Sequence, residues 1–259
     1  MKTAETPLTV VNGWNWVGFN SQQVMSVADA LAGMAPQNGD VIKGHRGMAY
    51  FDSYEWIGSL RTLMPGQGYK IQSVATTQRT FSYPETVAAA RPYRTAEHPA
   101  ATPGVFEPTD YTNYASNMVL IAQVVAGGQP AAGIELGIFA GEECREAAVT
   151  DDQGMVFITI PGDSPCTLTF QVSDGTDVVE ANGSIVYEND AVVGTPKAPY
   201  VIDLGVSTAI GSIAAAQDGS EWFDLQGRKV RRDDQSRKLR KGIYIVRPAG
   251  GKNGQKKVR

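Results

Sequence analysis

Histidine and cysteine are nearly absent from this chain: its 259 residues hold two of each, His45, His98, Cys144 and Cys166. Two histidines leave little material for a Ser-His-Asp or Cys-His centre, and neither stands beside a strained nucleophile turn of the GxSxG kind. Two thiols cannot build a structural zinc site alone, and no CxxC occurs. Cys144 and Cys166 are spaced for one disulfide between neighbouring strands or for two buried thiols, the disulfide being favoured in an oxidising compartment. No run of 18 apolar residues exists, so no membrane-spanning helix is expected. The first ten residues lack the apolar centre of a signal peptide, so the chain reads as the C-terminal part of something longer.

Other chemistry is thin. The segment Gly250-Gly251-Lys252-Asn253-Gly254 lacks the GxxxxGK[ST] spacing of a phosphate loop and has no helix after it. Glu142-Glu143, Asp151-Asp152 and Asp174 invite an acid–base or calcium reading. They fall instead in predicted hairpin turns, where Asp bonds its own backbone, and no EF-hand spacing appears. The expectation is a non-enzyme without cofactor or metal.

Charge is sparse but polarised. Charged residues make up 19% of the chain, against 28 glycines and 14 prolines, a composition that favours short strands and turns. From Arg228 onward there are 13 Lys/Arg and two acids, whereas 10 Lys/Arg face 25 acids before it. A nucleic-acid-binding tail would interleave aromatics with its charges, and only Tyr244 does so, so no nucleic-acid partner is expected.

What is present is a β-rich pattern in four parts. Residues 1–84 read as an aromatic-rich α+β module. A strand over 8–20 carries Trp14 and Trp16 at period two, and one helix over 26–34 is opened by Ser26 with Asp29 three residues on. Strands follow at 40–44, 47–51, 55–60, 68–74 and 79–83. Trp14, Trp16, Tyr54 and Trp56 either fill the core of this small module or expose a platform for sugar or peptide. Residues 85–112, with three consecutive alanines and four spaced prolines, read as a linker. Residues 113–204 alternate strand and turn every 8–12 residues or so, with hairpins at 151–154 and 174–175, the pattern of an immunoglobulin-like β-sandwich. Residues 205–259 supply a joint and two strands, 221–230 and 242–247. Two strands are marginal alone, so this tail is expected to pair with 207–213, to dock on the sandwich or to remain partly mobile.

The run Trp222-Phe223-Asp224-Leu225-Gln226-Gly227-Arg228-Lys229-Val230, followed by Leu239-Arg240-Lys241-Gly242-Ile243-Tyr244-Ile245-Val246, resembles the C-terminal sorting domains of the Bacteroidetes type IX (Por) secretion system. The resemblance rests on Trp222, Asp224, Leu225, Gly227 and Arg228 in the first part, and on Lys241, Gly242 and Tyr244 in the second. Members commonly close with a short apolar strand, whereas here only Val258 is apolar near the end. Upstream, Gly13-Trp14-Asn15-Trp16 and Pro65-Gly66-Gln67-Gly68-Tyr69 resemble modules of Prevotella and Bacteroides surface proteins. The resemblance implies an extracellular or outer-membrane location, the outer-membrane secretion machinery as partner, and a spacer or adhesion role towards a glycan or host protein. The other reading open at this point is a carbohydrate-binding accessory of a secreted glycan- or peptide-degrading enzyme.

Overall fold

The computed structural model describes residues 6–84 and 104–205, together with the backbone of four later strands. The chain is mainly β, with one short α-helix, Val27–Leu31, among the described residues. That helix forms where the apolar stripe predicts it: Val27, Ala30, Leu31 and Met34 are all buried. Ser26 is its N-cap, its Oγ accepting the Asp29 N–H at 3.0 Å and donating to the Asp29 carboxylate at 2.7 Å. A 3₁₀ turn, Ala32–Met34, ends it, with Ala35 left-handed at φ 52°.

The helix packs on a five-stranded antiparallel sheet in the order Gly13–Gly18, Gly68–Ser73, Val41–Lys43, Met48–Asp52, Glu55–Gly58. The core between them holds Val17, Phe19, Leu31, Ile42, Trp56, Ile71 and Phe81. Two small pairings close the rim, Leu8–Val10 with Arg79–Phe81 and Met25–Ser26 with Thr62–Leu63. Asp40, wholly buried, ties rim to sheet by accepting from the Gln37 and Val74 N–H groups and from the Arg79 guanidinium at 2.8 Å. A buried carboxylate with this many donors is satisfied rather than stranded.

Two further sheets share a second core. One centres on the ten-residue strand Asn117–Ala126, antiparallel to Met155–Pro161 and to Gln129–Pro130, and parallel to Val192–Val193 and Tyr200–Asp203. The other runs Glu143–Val149, Glu135–Ala140, Thr167–Ser173, Val178–Val186, all antiparallel. Met118, Leu120, Leu136, Ile138, Ile158, Phe170 and Val172 from both sheets form one buried cluster. The strand Val178–Val186 runs on through a register shift that takes up Gly183 at φ +97°.

Two expectations change here. The linker was expected to run to residue 112, and its part over 85–103 lies outside the described residues. Phe106, however, is buried against Phe139, Cys144 and Ala147, and the Val105 and Phe106 N–H groups donate to the Glu135 carboxylate. The globular part therefore begins before residue 113. Of the two states open for the cysteines, the structure has free thiols. Cys144 packs with Phe106 while Cys166 packs on the core shared by the two sheets, so the disulfide does not form. Burial pushes the Cys144 thiol up to about 11, leaving a poor nucleophile.

In the tail, the described strands form one antiparallel sheet in the order Lys229–Val230, Glu221–Phe223, Ile243–Arg247, Gln255–Val258. Trp222 is in register with Val230 on one side and Val246 on the other, and Tyr244 with Lys257. The single strand expected over 221–230 is instead two strands that pair with each other, and the charged end adds Gln255–Val258, while 207–213, the partner expected for the tail, lies outside the described residues. Asp224, Leu225, Gly227, Arg228, Lys241, Gly242 and the joint at 206–220 lie outside the described residues.

Gly194 marks the closest approach in the second core region. Its φ is +80°, and a Cβ there would sit 2.1 Å from the Ile121 carbonyl oxygen. Gly194→Ala is therefore expected to cost about 2–4 kcal/mol, combining left-handed strain with displacement of the strand Asn117–Ala126. Urea unfolding measures it, and a loss under about 0.5 kcal/mol would contradict the packing described.

Candidate functional site: a charged seam between two sheets

The strand Asn117–Ala126 is buried on both faces. Met118, Leu120 and Ala122 face its own core, while Val119 and Ile121 face the other way. Those outward residues meet Val41, Met48, Tyr50 and Trp14 of the first sheet, together with Met155, Phe157 and Val192. Such a continuous apolar run, rather than an alternating one, is what a strand covered on both sides requires.

At one end of this apolar seam lies its charged centre. Lys43 sits on the central strand of the first sheet with 2% of its side chain exposed. Its Nζ donates to the Asn117 carbonyl at 2.6 Å and pairs with Asp190 Oδ1 at 2.8 Å. Lys70 stands opposite Lys43 in register, and its Nζ donates to both Asp190 oxygens at 2.8 Å. Two ammonium groups placed across a strand pair would repel. Asp190, reaching in from the other sheet system, bridges them. Its backbone is left-handed at φ 64°, and its carbonyl accepts the Trp14 indole N–H at 2.9 Å. Asn117 adds side-chain bonds to the Gly44 and His45 carbonyls, and Thr159 bonds the same turn at Gly47 N and His45 O.

The electrostatics follow from burial and pairing. Desolvation pushes the Lys43 pKa below the ordinary lysine range, and the hydrogen bond and charge of Asp190 act against that. For Asp190, desolvation alone would raise the pKa, but hydrogen bonds and charges from Lys43 and Lys70 outweigh it and hold it low. The carboxylate therefore stays ionised between the two amines.

Beside this seam a shallow cleft, with a cavity volume of about 30 Å³, is lined by Trp16, Lys43, His45, Lys70 and Ser116 among others. Trp16 is 75% exposed, and the Lys70 ammonium lies 4.4 Å from its ring centroid.

Of the two placements open for Trp14, Trp16, Tyr54 and Trp56, a shared exposed platform does not assemble. Trp56 is in the core, edge-to-face with Phe51. Trp14 is half covered by the second sheet system, with Lys43 over its ring. Tyr54 is exposed in the turn after Met48–Asp52, near the sheet edge opposite Trp16. Trp14 and Trp16 do share a face, but the seam covers the first and spares the second. His45 is exposed and packs near Tyr111, and His98 lies outside the described residues. Asp151 and Asp174 accept N–H bonds from their own turns, and among the described residues no three His, Cys, Asp or Glu gather as a metal site.

No protein-family model matches the chain, and no curated protein matches it either.

Sequence reading missed Lys43, Lys70 and Asp190. A signal was present: Lys43 closes an apolar strand, and 118–122 are apolar without alternation. Asp190→Asn should leave Lys43 buried against a neutral amide. Stability at neutral pH is expected to fall by about 3 kcal/mol, the low end for a buried pair, because Asp190 keeps 27% of its side chain exposed. Lys43→Met should cost less, within about 1 kcal/mol, since it removes the charge that needs a partner. With its folded-state pKa depressed, Asp190 stabilises fully above the ordinary aspartate pKa, and the gain is lost as pH falls through the lower folded value. Chemical denaturation across acidic pH should show this loss in the wild type and not in Asp190→Asn. Equal stability of wild type and Asp190→Asn at neutral pH would contradict the assignment.

Proposed function

We propose that the chain is the non-catalytic C-terminal region of an exported cell-surface protein, a spacer and adhesion unit followed by a secretion and attachment signal. In this reading 113–204 is an immunoglobulin-like sandwich, 1–84 a module docked on it, and 205–259 the segment handled by the outer-membrane secretion machinery. The observation that carries the reading is the pairing of Glu221–Phe223 with Ile243–Arg247. These strands belong to the two separate halves of the sorting-like motif, and adjacency in one sheet gives both halves to a single recognition surface. The charge division supports it as well: a basic tail on an acidic body is distinguishable by a receptor that reads field as well as shape. A second reading, a carbohydrate-binding accessory of a secreted glycan- or peptide-degrading enzyme, draws on the exposed Trp16 alone.

Fusion of residues 205–259 to a signal-peptide-bearing reporter, expressed in a bacterium with a working type IX system, tests the proposal. The reporter is expected at the cell surface or in the medium, and in the periplasm when 221–259 is removed. Periplasmic retention of the intact fusion would overturn the export assignment.

A further inference from the structure

We infer that the cleft beside Trp16 binds an acidic saccharide, its carboxylate drawn to the Lys70 ammonium with the buried Lys43 adding charge behind it, and a sugar ring packed on the indole of Trp16. The inference does not rest on the export reading. It begins with charge. Two ammonium groups share the one carboxylate of Asp190, so the seam carries an excess positive charge at the cleft wall. The Lys43 ammonium is enclosed by Asn117 O, Asp190 Oδ1 and the Trp14 ring, so it acts on the cleft through its charge. Lys70 spends two contacts on Asp190 and lies over Trp16.

The shape selects the ligand. A cavity of about 30 Å³ has room for a carboxylate and not for a sugar ring. A ring carrying that carboxylate must stay outside, and the surface next to the opening is the 75% exposed indole. Gly44 and Gly68 line the cleft without side chains. The C–H face of a sugar packs on indole, and its ring-borne carboxylate approaches the Lys70 ammonium, the more exposed of the two. Each of the two tryptophans on this face has a lysine ammonium over its ring, and of the two Trp16 is the one left uncovered. A neutral sugar would gain the ring contact and leave the excess charge unanswered.

Isothermal titration of the full chain with trimers of galacturonate, glucuronate and mannuronate tests this, with galactose and glucose trimers and tri-glutamate in parallel arms. At least one uronate trimer is expected to bind saturably and to weaken with added salt. Its affinity should fall by roughly tenfold or more in Trp16→Ala. That variant changes an exposed side chain, and its far-UV circular dichroism and unfolding midpoint should match the wild type. Silence of all three uronates, equal binding of the neutral trimers, unchanged affinity in Trp16→Ala, or binding of tri-glutamate alone would each overturn the proposal.

Discussion

Burying Lys43 is the constraint on which the rest of the arrangement depends. An ammonium group with 2% of its side chain exposed must find compensation, because desolvating a charge costs several kcal/mol. Nothing in its own sheet supplies it, since its cross-strand neighbour is Lys70. The compensation comes from Asp190 and the Asn117 carbonyl, both in the other sheet system. The first sheet therefore cannot present this face to water in the same state that it presents to its neighbour.

Apolar contact and charge divide the labour along the seam. Val41, Met48, Val119 and Ile121 supply the area that favours association. Such contact is non-directional and tolerates sliding. The bridge from Asp190 to two lysines, the Trp14 indole bond and the Asn117 amide bonds fix one orientation. On this account the ion pairs contribute less to net stability than to a unique docking, and Trp16 is left beside open charge as a consequence of the register.

Local features were legible in the sequence. Ser26 and Asp29 open the helix as their spacing predicts, and the turns at 151–154 and 174–175 carry the Asp residues that bond their own backbones. Those signals act over two to four residues. The seam was not legible because its partners are 74, 120 and 176 residues apart in sequence, a distance at which no pattern pairs one lysine with one aspartate. The same blindness made Trp14 and Trp16 look equivalent, since period two assigns them one face and says nothing about what covers it. Phe106 was read as linker for want of periodicity, although a single aromatic suffices to anchor a chain when a carboxylate such as Glu135 collects the flanking N–H groups. The strand Gln255–Val258, polar but for its last residue, likewise carries no apolar alternation to announce it.

The central claim is that the first sheet and the second sheet system form one cooperative body. Three of the four tryptophans, Trp14, Trp16 and Trp56, lie in the first part, while strands of both parts contribute to far-UV circular dichroism. Urea unfolding of the whole chain, followed by tryptophan fluorescence and by circular dichroism on the same samples, is the direct test. Coincident transitions with one midpoint are the predicted result. A fluorescence transition completed at lower urea than the main dichroism transition would show the first sheet unfolding alone, and would contradict the account.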